Sequence, residues 1–176
     1  AESYVAVVAG GSDLSATVKS PAIVGYTAMD RQSPDGAQEA LNVVLNYSDI
    51  QSDITIEVLY HPHNVRYQVE HYRQNISDDN YTLFDTVLMS DFVGNLTNAE
   101  AKNDMNGFYV LPFENIEVAA DGSTVVEIYY DREYYLMTFK LDGGYGVEPL
   151  YARYGTPVSV PTPSKPGYVF VGWREN

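Results

Sequence analysis

The sequence predicts a mostly β chain, α+β at the limit, built from small modules in tandem. Three observations carry that expectation. Apolar residues alternate with period two in several segments. Helical signal is confined to two short stretches. One strand–break–strand block also occurs twice, seventy residues apart.

In chain order, "SATVKSP" (15–21) is a short strand candidate closed by proline. "SPDGAQEALNVV" (33–44) has room for one helical turn before a strand. "DITIEVLY" (53–60) sets Ile54, Ile56, Val58 and Tyr60 against Thr55, Glu57 and Leu59, the pattern of a half-buried strand. "VRYQVEHY" (65–72) sets Val65, Tyr67 and Val69 against Arg66, Gln68 and Glu70. "TNAEAKNDMNG" (97–107) offers Thr97 as an N-cap, Glu100 to complete a capping box and Gly107 as a stop, hence a short helix. "DGSTVVEIYY" (121–130) opens on an Asp-Gly turn. It then places Val126, Ile128 and Tyr130 on one face and Val125, Glu127 and Tyr129 on the other. "YYLMTFKLDGG" (134–144) is a strand ending in a Gly-Gly turn, and "TPVSVPTP" (156–163) is a short strand candidate. "KPGYVFVGWREN" (165–176) reads as a strand that requires burial on both faces.

The repeat becomes visible when "TIEVLYHPHNVRYQV" is set above "VVEIYYDREYYLMTF". Glu57 falls on Glu127, Val58 on Ile128, Tyr60 on Tyr130 and Val69 on Phe139. Each block reads as the last strand of one module and the first of the next. Between the blocks a Gly-aromatic pair recurs, as Gly25-Tyr26, Gly107-Phe108 and Gly167-Tyr168. Glycine allows a left-handed turn there, and the aromatic can plug a small core. The modules are therefore 1–62, 63–132 and 133–176, the third lacking a closing strand. The junctions "HPHN" and "DRE" are too short for free swivelling, which favours an elongated rod.

Composition excludes several function classes. Twenty-four acidic residues against ten basic ones give a net charge of −14, which repels nucleic acid and anionic membrane. No apolar run reaches the roughly 18–20 residues of a membrane span, and no signal peptide is visible, so a processed chain or a fragment is expected. Cysteine is absent, which rules out thiolate catalysis, zinc–thiolate sites and disulfides. An acidic, cysteine-free chain with sixteen tyrosines fits a bacterial exported protein at least as well as a cytosolic one. The Asn-x-Ser/Thr sites at Asn46, Asn75, Asn80 and Asn95 would be glycosylation acceptors in a eukaryotic secreted protein, and chance in a chain rich in these residues explains them equally well.

Two resemblances follow from these motifs. The segment from Tyr134 resembles the Listeria–Bacteroides repeat of the internalin B-repeat type. It carries Thr138, Phe139, Gly143, Gly144, Tyr154, Gly155, Pro161, Pro163, Pro166, Gly167, Tyr168, Phe170, Gly172 and Trp173, and departs from that pattern in lacking the closing strand. Residues 63–132 resemble a mucin-binding-protein (MucBP) module through "YQVEHY", Tyr81-Thr82-Leu83, Gly94, Gly107-Phe108 and "VVEIYYDR". Residues 1–62 are similar in outline, through "SPAIVGYTA" and "ITIEVLYHP". The resemblance implies small β-grasp-like (ubiquitin-like) modules, at most one short helix each, in a bacterial cell-surface protein, cell-wall anchored or secreted. It implies no catalytic residues.

Candidate sites are few. His61 and His63 are two apart, but Pro62 lies between them and no third ligand is near, so a solvated junction is expected rather than a metal site. "SDDN" (77–80) and Asp142 read as turns rather than calcium loops. No nucleophile elbow and no phosphate-cradling loop is present, so no catalytic site, cofactor or metal is expected. Lys19, Lys102, Lys140 and Lys165 are the lysines available for a Lys–Asn isopeptide bond. Tyr67, Tyr72, Tyr129, Tyr130, Tyr134 and Tyr135 flank the junctions and form the candidate partner surface. Gly25, Tyr26, Gly107, Phe108, Gly167, Tyr168, Gly172 and Trp173 are the module signature positions, with Trp173 expected at an incompletely covered core or against a neighbour.

The functional expectation is a non-catalytic stalk or adhesion region that spaces or presents a binding domain. The partners would be neighbouring modules, and host glycan, mucin or an extracellular protein. One alternative is a glycan- or mucin-binding module that uses exposed tyrosines. Another is an accessory region of a larger secreted enzyme.

Overall fold

Among the described residues the regular structure is all strand, which makes the chain mainly β. The structure is a computed structural model that describes residues 15–30, 33–38, 42–46 and 58–174. The strands are β1 Ser15–Lys19, β2 Tyr26–Asp30, β3 Ser33–Gln38, β4 Asn42–Asn46, β5 Leu59–Pro62, β6 Asn64–Gln74 and β7 Tyr81–Phe92. β8 Phe108–Val110, β9 Val125–Arg132, β10 Tyr134–Met137 and β11 Leu150–Arg153 complete the series. They pair as β1-β4, β3-β2-β5, β7-β6-β9-β8 and β10-β11. In the four-stranded sheet the first and last strands in sequence, β6 and β9, are central. The chain divides into two compact units. One comprises Ala1–Gln68, Leu88–Thr97 and Asn115–Thr124; the other comprises Val69–Val87, Asn98–Glu114 and Val125–Asn176.

In the first unit, β1 pairs antiparallel with β4 from Ser15↔Asn46 to Lys19↔Asn42. β2 pairs antiparallel with β5 from Tyr26↔Pro62 to Met29↔Leu59. The helical turn expected in 33–44 is absent: Ser33–Gln38 and Asn42–Asn46 are strands. Of the strand expected at 53–60, residues 53–57 lie outside the described residues, and β5 begins at Leu59. Ala28, Tyr67 and Val118 are fully buried here.

The helix expected at 97–107 does not form. Thr97 is buried, and its hydroxyl donates to Asn115 Oδ1 (2.9 Å) and accepts from Ile116 N–H (3.1 Å) instead of capping a turn. Its own N–H donates to the Ile116 carbonyl (2.8 Å). A two-turn segment has little helical stability of its own, so these longer-range bonds decide its path.

In the second unit, period two works as the sequence predicts. Val69 and His71 of β6 and Val126, Ile128 and Tyr130 of β9 are 3 % exposed or less. Each such aliphatic side chain contributes about 2 kcal/mol over its exposed state. Phe84 closes the cluster edge-on against Tyr130 (5.9 Å) and tilted against His71 (6.1 Å). The Tyr130 hydroxyl accepts the Lys102 N–H (2.7 Å) and lies 3.0 Å from His71 Nδ1.

Downstream, β10 stops at Met137, short of the strand predicted to 144. Residues 156–163 form no strand, since prolines at 157, 161 and 163 remove the donors a ladder needs. Residues 168–174 also lie outside any strand. Val169 and Val171 are 87 % and 97 % exposed, so the expectation of two-sided burial fails.

Burial and the Lys102 charge hold the His71 pKa below its ordinary 6.5. A folded state that resists protonation binds fewer protons than the unfolded chain, so stability declines as pH falls below that value. The unfolding midpoint of the wild type should drop between pH 7 and pH 5. In His71→Gln, which can still accept from Tyr130 but does not titrate, that decline should be smaller.

Candidate functional site

The repeated element in the sequence is a repeated piece of backbone geometry. In the first unit, His63 stands between β5 and β6. Its N–H donates to the Gly25 carbonyl (2.8 Å), and its carbonyl accepts from Val93 N–H (3.0 Å). In the second unit, Glu133 stands between β9 and β10. Its N–H donates to the Gly107 carbonyl (2.9 Å), and its carbonyl accepts from Tyr154 N–H (2.7 Å). In both, the strand after the Gly-aromatic pair runs against the closing strand, with Tyr26↔Pro62 and Phe108↔Arg132 in register.

The third partner is also equivalent. Val93 directly follows β7 and Tyr154 directly follows β11. Each precedes a glycine with positive φ, Gly94 at 83° and Gly155 at 81°. Each sits in a turn closed three residues apart, Asn95 N–H to Phe92 O (3.0 Å) and Thr156 N–H to Arg153 O (3.1 Å). Val93 lies over Gly25, where an added Cβ would meet its methyls at 3.1 and 3.2 Å and Ala120 at 2.6 Å. The Tyr154 ring lies over Gly107 so closely that an added Cβ would overlap it. The Val93 carbonyl accepts from the Tyr26 hydroxyl (3.3 Å), and the Tyr154 carbonyl accepts from Arg132 Nη1 (2.8 Å). Glycine at 25 and 107 thus satisfies both a left-handed backbone and a covering side chain.

The second clamp has a further grip. Asp78 Oδ1 accepts from Asn75 Nδ2 (2.9 Å) and Asn80 N–H (2.8 Å), so "SDDN" is the hairpin turn the sequence predicts. Those bonds hold the Asp78 carboxyl below its ordinary range. Arg153 reaches this turn, with Nη1 on the Asp78 carbonyl (2.7 Å) and Nη2 paired with Asp79.

The third signature differs. At Gly167 φ is +78°, but nothing lies within 4 Å of an added Cβ, and Tyr168 is 71 % exposed. Gly172 is likewise open. Trp173, 41 % exposed, packs on Phe139 (5.2 Å) and Phe170 (5.4 Å).

The candidate tyrosines fall into three groups. Tyr67 and Tyr130 are 1 % exposed and belong to the core, so they offer no ring face to a partner. Tyr72 and Tyr129 occupy the opposite face of β6 and β9 and stack at 4.9 Å and 18°. Tyr134 stacks on Tyr151 (5.1 Å, 20°), while Tyr135 meets Tyr154 edge-on at 6.2 Å. Sequence reasoning missed Tyr81 and Tyr109. Tyr81 packs edge-on against Tyr129 (4.9 Å), and the Tyr81 and Tyr109 hydroxyls both donate to Asp131. A readable signal was Glu-x-Tyr, which among the described residues occurs as Glu70/Tyr72, Glu127/Tyr129 and Glu133/Tyr135. Residues two apart share a strand face, so each phenol can donate to the preceding carboxylate, and all three do. The hydrogen bond to Glu70 pushes the Tyr72 pKa up to about 12, and that to Asp131 does the same for Tyr81.

The remaining candidates have structural partners. His63 Nε2 lies 2.7 Å from Thr27 Oγ1, and His61 packs edge-on against Phe92 at 5.7 Å. Asp142 (φ 50°) sits in the Leu141–Gly144 turn, where its carbonyl accepts from Lys165. Lys102 is ion-paired with Asp85 at 2.7 Å. Among the described residues no group of three His, Asp or Glu side chains gathers to hold a metal ion.

Comparison with protein-family models, with curated proteins and with solved structures finds no match for this chain.

The clamp predicts unequal costs for one substitution. Gly107→Ala adds backbone strain and overlap with Tyr154, and should cost about 2–5 kcal/mol in denaturant unfolding. Gly167→Ala adds strain alone, about 1–2 kcal/mol. Equal losses would mean that the covering tyrosine plays no part.

Proposed function

We propose that this chain is a non-catalytic stalk region of a bacterial cell-surface protein, made of small β-grasp-like modules in a rod. The observation that supports it most is the clamp, which holds both junctions through the same set of backbone hydrogen bonds. Each clamp ties the end of one module to the first hairpin of the next. A joint of that kind transmits orientation where a free linker would not. The MucBP-like and Listeria–Bacteroides-like motifs are consistent with the same reading, in which the rod carries a binding domain outward. Strong net negative charge keeps such a surface soluble and unattached to anionic neighbours.

Small-angle scattering of the whole chain tests the rod. A compact globule of this length has a radius of gyration of about 16 Å. The proposal expects a clearly larger value, with a pair-distance distribution skewed to long distances. A symmetric distribution near the globular value would refute it.

A further inference from the structure

We propose that the outward face of β6 and β9 binds a lysine- and arginine-bearing polypeptide segment in extended form. This goes beyond the stalk reading and rests on side chains that the clamp does not use.

The face carries four phenols and three carboxylates. Tyr72 and Tyr129 form the stacked pair, Tyr81 closes one side, and Tyr109, 50 % exposed, lies on neighbouring β8. Every hydroxyl donates to a carboxylate of the same face: Tyr72 to Glu70 (2.6 Å), Tyr129 to Glu127 (3.0 Å), Tyr81 to Asp131 (2.5 Å) and Tyr109 to Asp131 (3.2 Å).

That arrangement selects the chemistry of the partner. The phenolic protons are already committed to carboxylates, so these tyrosines have no hydroxyl donor left for a ligand. What remains outward is ring π-density interleaved with anionic oxygens, which suits an ammonium or guanidinium group. Among the described residues the ion pairs are Lys102–Asp85, Arg153–Asp79 and Lys165–Asp142, and none involves Glu70, Glu127 or Asp131. The phenols stay neutral to high pH, since their carboxylate partners raise their pKa values. Spacing favours an extended partner: Glu127 and Asp131 are four residues apart on one strand, about 13 Å. Side chains i and i+4 of a second extended chain have the same separation. Charge complementarity with a basic segment is therefore matched by spacing.

The test is fluorescence anisotropy of labelled hexalysine titrated with the whole chain, at about 20 and about 200 mM salt. Binding should weaken as salt rises. The variant Glu70→Gln/Glu127→Gln keeps an acceptor for each phenol, so its unfolding midpoint should be near that of the wild type. It should bind hexalysine at least about fivefold more weakly, equivalent to about 1 kcal/mol. The control Glu114→Gln/Glu148→Gln removes the same charge elsewhere and should stay within about twofold of wild type. Equal weakening by both variants would show only bulk attraction to an acidic chain and overturn the proposal. So would displacement of hexalysine by a neutral oligosaccharide, by a concentration-dependent dimer of the chain, or the absence of binding at low salt.

Discussion

One backbone interaction underlies the rest: a glycine carbonyl in a left-handed turn accepts the N–H of a residue that stands between two successive strands. Gly25 with His63 and Gly107 with Glu133 are its two instances. The interaction is short-ranged and consumes polar groups that otherwise need water. It also requires a residue without Cβ, because Val93 or Tyr154 occupies the space above. The spacing of Gly-aromatic pairs and closing strands in the sequence is a consequence of that geometry. Each of the two compact units contains one such clamp, so residues 63–132 are shared between the units.

The tyrosines show how one residue type serves two opposed purposes. On β9, Tyr129 and Tyr130 are adjacent and therefore face opposite ways. Tyr130 is a core member whose hydroxyl serves the Lys102 amide and His71, while Tyr129 stacks outward on Tyr72. The same alternation separates Tyr67 from Tyr72 on β6. Below the core, the Arg73 guanidinium lies 3.8 Å from the centre of the Phe84 ring and donates to Met105 Sδ, yet its Nε is buried without a partner. Aromatic faces here stand where a half-buried arginine would otherwise meet carboxylates.

Much of the fold was legible because alternation is a local property. The buried sets of β6 and β9 could be read directly, as could the turn at Asn75–Asn80 and the Asp-Gly entry to β9. What failed needed information from distant residues. Thr97 and Glu100 carry a capping box, but Asn115 and Ile116 claim the threonine. "GYVFVGW" has strand composition, but residues 168–174 pair with no strand among the described residues. The outward tyrosine face was half legible: Tyr72 and Tyr129 follow from periodicity, whereas Tyr81 and Tyr109 reach Asp131 from other strands. No spacing within one segment reveals that convergence.

The central claim is that the junctions are clamped rather than hinged, and amide hydrogen exchange at four positions measures it directly. His63, Val93, Glu133 and Tyr154 carry the N–H groups of the two clamps. These amides should exchange as slowly as those of the buried strands β6 and β9, since opening a clamp would break the strand pairings around it. Exchange at these four positions as fast as in exposed turn segments, with the strand amides still protected, would contradict it.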